Sequence, residues 1–296
     1  MKKSLLALSI LLSTSVMADY RIMMSGNGGN IKLPETPEPQ NDFVSHTFTN
    51  CGKTGRYGPS LVNCQNSYNG AEILKPEYNF SVNNGVQYWT VPSSGSYRIE
   101  AYGAGSSLGG GGAIMSGTFT LTQSDVLKIL VGQMPLKYLN QGEGGAGGTF
   151  VATYSNQPLI VAGGAGGYGS GGVIVESSEK GFGQFGGSGT SSGLGGQVGT
   201  NGPGGGGAGF LGDGGFDSSW TIASSSFING GAGGQIIATD RNGGDGGFGG
   251  GGGAAVNNKS GPYNRSGGGG GYSGGGGGGY NGGYSNNGGG GGGLNS

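Results

Sequence analysis

Charge is scarce in this sequence, with 14 Lys and Arg against 15 Asp and Glu in 296 residues. With no basic stripe, an electrostatic grip on nucleic acid or on an anionic membrane is excluded, and any partner must be held by shape and hydrogen bonds. Histidine is nearly absent, His46 standing alone, and the only cysteines are Cys51 and Cys64. One His and two Cys cannot complete a four-ligand zinc site unless carboxylates join. The ten prolines are too few for a collagen triple helix, and the glycine runs 267–271 and 274–279 break the every-third-residue period that collagen requires. No apolar run reaches the roughly 20 residues of a membrane-spanning helix.

What is present begins with the N-terminus. Lys2 and Lys3 form a positive region, residues 5–16 an apolar stretch, and Val16-Met17-Ala18 a small-residue cleavage site. This predicts a cleaved signal peptide over 1–18, a mature chain beginning at Asp19, and export to the exterior or the cell surface. Losing Lys2 and Lys3 leaves 12 basic and 15 acidic residues, a mature net charge of −3. An exported protein meets an oxidising compartment, so Cys51 and Cys64 are expected to form one disulfide, with two free thiols as the alternative. Closing a loop of that size contributes about 3 kcal/mol in the chain-entropy model.

Residues 19–42 carry Pro34, Pro37 and Pro39 among polar residues without a hydrophobic period, which predicts an extended linker. From 43 onward, short β-prone runs at 86–91, 97–102, 114–121, 126–131, 149–154 and 158–162 are separated by turn residues such as Asn83-Asn84-Gly85 and Pro92-Ser93-Ser94-Gly95. The last two runs read as a hairpin joined through Ser155-Asn156-Gln157. The fold class is therefore all-β, an antiparallel β-sandwich over 43–162 with essentially no α-helix outside the signal peptide.

The region from 163 to 296 is different in kind. Of the 80 glycines, 63 fall after residue 140. Ordering a backbone costs about 1–2 kcal/mol per residue, and most for Gly, so ordering 63 glycines costs on the order of 60–120 kcal/mol. Little side-chain burial is available to offset this. An ordered state must satisfy nearly every N–H and C=O against neighbouring backbones, each bond contributing about 1 kcal/mol net. Bundled left-handed extended helices with three residues per turn do this, because absent side chains let rods pack closely and bond sideways. The expectation is a polyglycine-II bundle whose apolar islands, among them Phe210-Leu211, Phe216, Trp220 to Ile222, Phe227-Ile228 and Phe248, form its turns and caps.

An ordered series of residues resembles the glycine-rich domain of the anaplastic lymphoma kinase and leukocyte tyrosine kinase receptor family. It runs through Cys51-Gly52, Gly58-Pro59, Cys64, Tyr68, Gly85-Val86-Gln87, Trp89, Val91-Pro92, Tyr97, Ile99 and Gly103-Ala104. It continues in Gly117, Phe119 and Leu121, Val131-Gly132-Gln133, the stretch 147–151 and the stretch 158–164. The resemblance implies a tumour-necrosis-factor-like sandwich with an inserted polyglycine-II bundle, and again a Cys51–Cys64 pair. In the receptors this region binds protein cytokines. Such domains return into a closing β-strand, and since the sequence stops at Gly293-Leu294-Asn295-Ser296, the expectation is either a truncated sequence or a sandwich from which that strand is missing. The receptors' kinase is not expected of this polypeptide.

Other motifs are incidental. Gly-x-Gly-x-x-Gly matches are unavoidable in such a composition and none lies between a strand and a helix. Gly271-Tyr272-Ser273-Gly274-Gly275 fits a hydrolase pattern but sits in a glycine run. Asp213, Asp217, Asp240 and Asp245 are too irregularly spaced for calcium repeats. No catalytic residue, metal site or cofactor is expected. The candidate contact residues are the aromatics Trp220, Tyr263, Tyr272, Tyr280 and Tyr284, presented to an extracellular protein or carbohydrate ligand. The sequence thus predicts a secreted or surface-displayed binding and adhesion module; a self-assembling envelope or matrix protein is the alternative.

Overall fold

The computed structural model describes residues 7–13, 45–75, 79–107, 110–136, 142–167, 172, 190–199, 204–237, 243–254, 265–278 and 288–296. The strands are β1 Ala7–Ser13, β2 Ser45–Thr49, β3 Ser81–Asn83, β4 Val86–Thr90, β5 Gly95–Tyr102, β6 Ile114–Leu121, β7 Val126–Leu130, β8 Thr149–Thr153, β9 Pro158–Ala162, β10 Thr221–Ile222, β11 Gln235–Ile236 and β12 Leu294–Asn295. A small sheet has the order β2-β1-β5-β6 and a large one the order β12-β9-β8-β7-β4-β3, antiparallel throughout. The all-β class and the antiparallel sandwich are as the sequence predicts.

Period-two alternation builds the core. On β5, Tyr97, Ile99 and Ala101 are fully buried while Arg98 is exposed. Phe48, Trp89, Tyr97, Ile99, Leu127 and Val151, drawn from both sheets, form the main cluster. Each large apolar side chain buried there contributes roughly 1.5–3 kcal/mol. β8 is covered on both faces, so that Val151 serves this cluster and Phe150 a second one. In the second cluster Phe150 stacks with Phe227 at 5.2 Å and Phe227 with Phe210 at 4.8 Å. The glycine-rich half therefore lies on the outer face of the large sheet. Phe210, Phe227 and Phe248 are not caps of the rods, as expected from sequence, but anchors buried against that sheet.

The glycine segments are held by backbone hydrogen bonds with a period of three. Gly204 and Gly207 donate to Gly278 and Gly275, Gly205 and Ala208 to Gly253 and Gly250, and Gly206 and Gly209 to Gly215 and Gly212. The segment from 267 repeats the pattern. Gly267 and Gly270 reach Glu143 and Ala146, Gly268 and Gly271 reach Gly205 and Ala208, and Gly269 and Tyr272 reach Gly289 and Gly292. Successive residues thus bond to three different neighbours, which is what an extended helix with three residues per turn requires. The network reaches back before residue 163, because Gly145, Ala146, Gly147 and Gly148 donate to Gly252, Ala165, Gln133 and Gly249. The loops leaving the strands continue as rods.

Another expectation is corrected. The closing strand is not missing, since Leu294 and Asn295 pair with Val161 and Ile160. Two residues are too few to carry a strand signal, and the rod over 288–293 delivers them to the edge of β9. Asn295 Nδ2 also donates to the Ser116 carbonyl oxygen at 3.0 Å. Helix is sparse, as expected: α1 spans Leu61–Ser67, started by a capping box in which the Ser60 hydroxyl accepts from Asn63 N–H and the Asn63 side chain accepts from Ser60 N–H. It carries Cys64, which is bonded to Cys51 with a Cα–Cα distance of 4.8 Å. Finally, Ala7–Ser13, within the apolar stretch of the expected signal peptide, is a strand in the full-length chain, paired with β2 on one side and β5 on the other.

Candidate ligand-binding clefts

Two clefts open where the sandwich meets the glycine half, one on each side of the β3–β4 turn. Asn83 pairs with Val86, leaving Asn84-Gly85 as a two-residue hairpin loop with φ of 47° and 84°. Both values are positive, which explains the Asn-Gly sequence. Gly85 has a second reason to lack a side chain, since a Cβ there would meet both Gly58 and the Phe248 ring.

The larger cleft has a volume of about 560 Å³ and is lined by Tyr57, Pro59, Leu61, Val82 and the turn. The smaller, about 320 Å³, is lined by Tyr88, Lys128, Asn156 and Ile228. Asn83, Asn84, Asn229 and Gly230 border both. The lining is almost uncharged: Lys128 is the single ionic group, and its ammonium is engaged by Asn156 Oδ1 at 2.7 Å and lies over the Tyr154 ring at 5.1 Å. Tyr57 is 64% exposed, with the Arg56 guanidinium 4.7 Å from its ring centre. Burial, followed by the neighbouring Tyr154, raises the Tyr88 phenol above its ordinary value, so it stays a neutral donor and acceptor.

The far wall is fixed from behind. The Asp213 carboxylate accepts from Ser226 N–H at 2.7 Å and from Asn229 Nδ2 at 2.9 Å, while Phe227 of the same loop is locked in the second core cluster. Partial burial acts to raise the Asp213 pKa, but those hydrogen bonds outweigh it and hold the carboxyl below its ordinary range. Asp217 and Asp245 likewise accept local backbone N–H groups, from Ser219 and Ile236, both at 2.9 Å. Asp240 lies outside the described residues, among which no cluster of three metal-ligating side chains occurs.

Of the aromatics singled out by sequence, Tyr263, Tyr280 and Tyr284 lie outside the described residues. Tyr272 is half-buried and packs 6.1 Å from Phe210. Trp220 is half-buried on the turn before β10, its N–H donating to the Asp217 carbonyl. Of the residues that line the clefts, Asn83-Asn84-Gly85 were legible as turn formers, Phe227-Ile228 and Phe248 as apolar islands, and Gly58-Pro59 and Val86 within the family resemblance, none of them as a binding site. Ser273 is fully buried in the rods, its hydroxyl accepting from Gly193 N–H. His46 sits on β2, its ring 4.7 Å from both Phe48 and Tyr68. Burial pushes His46 down to about 4, so it is neutral at physiological pH. His46 and Ser273 therefore belong to separate structural settings, the small sheet and the rods.

No protein-family model matches the chain. Over 104 residues it is 34% identical to the leukocyte tyrosine kinase receptor of Mus musculus, a match covering 33% of this chain. The chain spans 12% of that receptor's length. The matched part is a receptor ectodomain region and not the kinase, so a third of the chain is related to an extracellular region. Among the described residues, no helix is long and apolar enough to cross a membrane.

Proposed function

We propose that this protein is exported through its cleaved N-terminal leader and acts, secreted or surface-displayed, as a glycine-rich binding module for an extracellular protein or carbohydrate. The observation that carries the reading is the pair of almost uncharged clefts beside Asn83-Asn84-Gly85. Tyrosine faces and amide groups there offer donors, acceptors and apolar area with almost no formal charge, which suits sugar hydroxyls or a peptide backbone. The kinship of one third of the chain to a receptor ectodomain supports an extracellular ligand. The module works without kinase chemistry, its clefts serving recognition and not turnover.

Glycan and protein arrays probed with the secreted chain test this. A hit weakened at least about tenfold by Tyr57→Ala, with thermal stability unchanged, supports it, since that is the effect of losing a contact worth about 1.4 kcal/mol. Silence on both arrays refutes it. A second reading, assembly into an envelope or matrix, is favoured by the apolar side chains exposed on the glycine half. Leu211, Phe216, Ile222, Ile228 and Ile237 are between 44% and 51% exposed. Concentration-dependent light scattering without ligand affinity would select it.

A further inference from the structure

The place between β2 and β5 is held by Ala7–Ser13, which belongs to the leader that export would remove. Taking it out empties the middle of a sheet, leaving β2 and β5 separated by the width of one strand. The register states what an occupant must supply. Position 8 lies opposite Phe48, position 10 between His46 and Ile99, and position 12 opposite Tyr97. Phe48, Ile99 and Tyr97 are fully buried, and directly opposed residues share a face, so these three positions require apolar side chains. Positions 9 and 11 lie between Thr47 and Glu100 and between Ser45 and Arg98, on the outward face, where polar residues are tolerated.

The first seven residues after the cleavage site repeat this demand in order. Ala7-Leu8-Ser9-Ile10-Leu11-Leu12-Ser13 aligns with Asp19-Tyr20-Arg21-Ile22-Met23-Met24-Ser25 at a constant offset of 12. Tyr20, Ile22 and Met24 take the three core positions. Arg21 takes the outward position opposite Glu100, where the opposite charges attract. Residues 26–44 then link the strand to β2, ample for an antiparallel connection whose two ends lie beside each other in the sheet.

We propose that processing exchanges one strand for another with the same apolar pattern at the core-facing positions: once the leader is removed, residues 19–25 of the same chain fill the slot between β2 and β5. The leader is then a placeholder for the small sheet, and the mature N-terminus becomes a structural strand and not a free tail. This rests on the export reading above and goes beyond it.

The intact mass of the secreted protein is measured first. Retention of residues 1–18 overturns the export reading and this proposal with it. A chain starting at Asp19 leaves the strand exchange to be judged by itself. In a double variant, Arg21→Cys with Glu100→Cys, the two introduced thiols are opposed on the outward face. They are expected to form a disulfide cross-link within a monomer, read by peptide mass spectrometry. The off-register pair, Arg21→Cys with Arg98→Cys, is expected to cross-link far less. Equal yields overturn the register, and a cross-link confined to dimers overturns the same-chain occupant in favour of a second copy. In single variants, Ile22→Asp is expected to lower the unfolding midpoint by as much as deleting 19–25, and Met23→Asp by much less. Equal tolerance of both overturns the proposal.

Discussion

The sandwich and the glycine rods solve the same problem with opposite means. In the sandwich, Trp89, Tyr97 and Ile99 remove apolar area from water, and the backbone bonds form along ladders. In the rods, Gly145, Gly205 and Gly268 bury nothing but backbone, and nearly all the order comes from hydrogen bonds between segments distant in sequence. A side chain is thus an asset on one side of Phe150 and an obstacle on the other. The second aromatic cluster joins the two regimes, since Phe210, Phe227 and Phe248 supply the apolar area by which the rods adhere to the large sheet.

Alanine separates the regimes most sharply. Trp89→Ala, which removes bulk, is expected to cost about 3–5 kcal/mol. Gly145→Ala adds one carbon, which would run into the Gly268 carbonyl group, itself the acceptor for Gly252 N–H, and is expected to cost about 3 kcal/mol. Gly111→Ala meets no atom within 4 Å and is expected to stay within about 0.5 kcal/mol of the parent. Denaturant titration of the three variants checks the ranking. Equal costs at Gly145 and Gly111 would break the contrast.

Removing the disulfide by Cys51→Ser with Cys64→Ser is expected to cost about 3 kcal/mol. The loss should register in the sandwich, because Cys51 and Cys64 belong to its core. Hydrogen exchange should show faster opening of β2 and α1 with the rods unchanged. Uniform acceleration would mean the two regions unfold as one unit.

Acid sharpens the comparison through His46. Its folded value of about 4 lies below the ordinary 6.5, so the unfolded chain takes up the proton first. The full stability is therefore present above about pH 6.5 and falls as pH drops toward 4, by up to about 3 kcal/mol. His46→Phe should flatten that slope, which a series of denaturant curves between those pH values measures. A smaller effect is expected from Asp213→Ala, about 1 kcal/mol from the lost hydrogen bonds. Its folded pKa is depressed, so its contribution is present above the ordinary carboxylate value and fades as pH falls through the folded one. Hydrogen exchange at Ser226 to Gly230, the wall of both clefts, should rise in this variant.

Much of the sandwich was legible beforehand. The runs 86–91, 97–102, 114–121, 126–131, 149–154 and 158–162 became β4 to β9 with ends displaced by at most two residues, because alternation and turn residues are local signals. The three-residue bonding of the rods followed from the need to satisfy glycine backbone, but its partners did not. Nothing in the sequence of Gly145 distinguishes Gly252 from any other glycine acceptor. The clefts were missed for a similar reason. Asn84 and Asn229 lie far apart in sequence, one in a hairpin and one in a glycine tract, and only the seating of Phe227 on Phe150 brings them to one surface.

By itself the sequence determined strands β4 to β9, the single disulfide pair available and the obligation of the glycine half to bond to itself, since each depends on residues close together or on composition. The tertiary structure alone decided which rods are neighbours, that Leu294 and Asn295 close the large sheet, and where the clefts open. Those outcomes depend on the distance between groups far apart in the chain, which packing sets and no local pattern records.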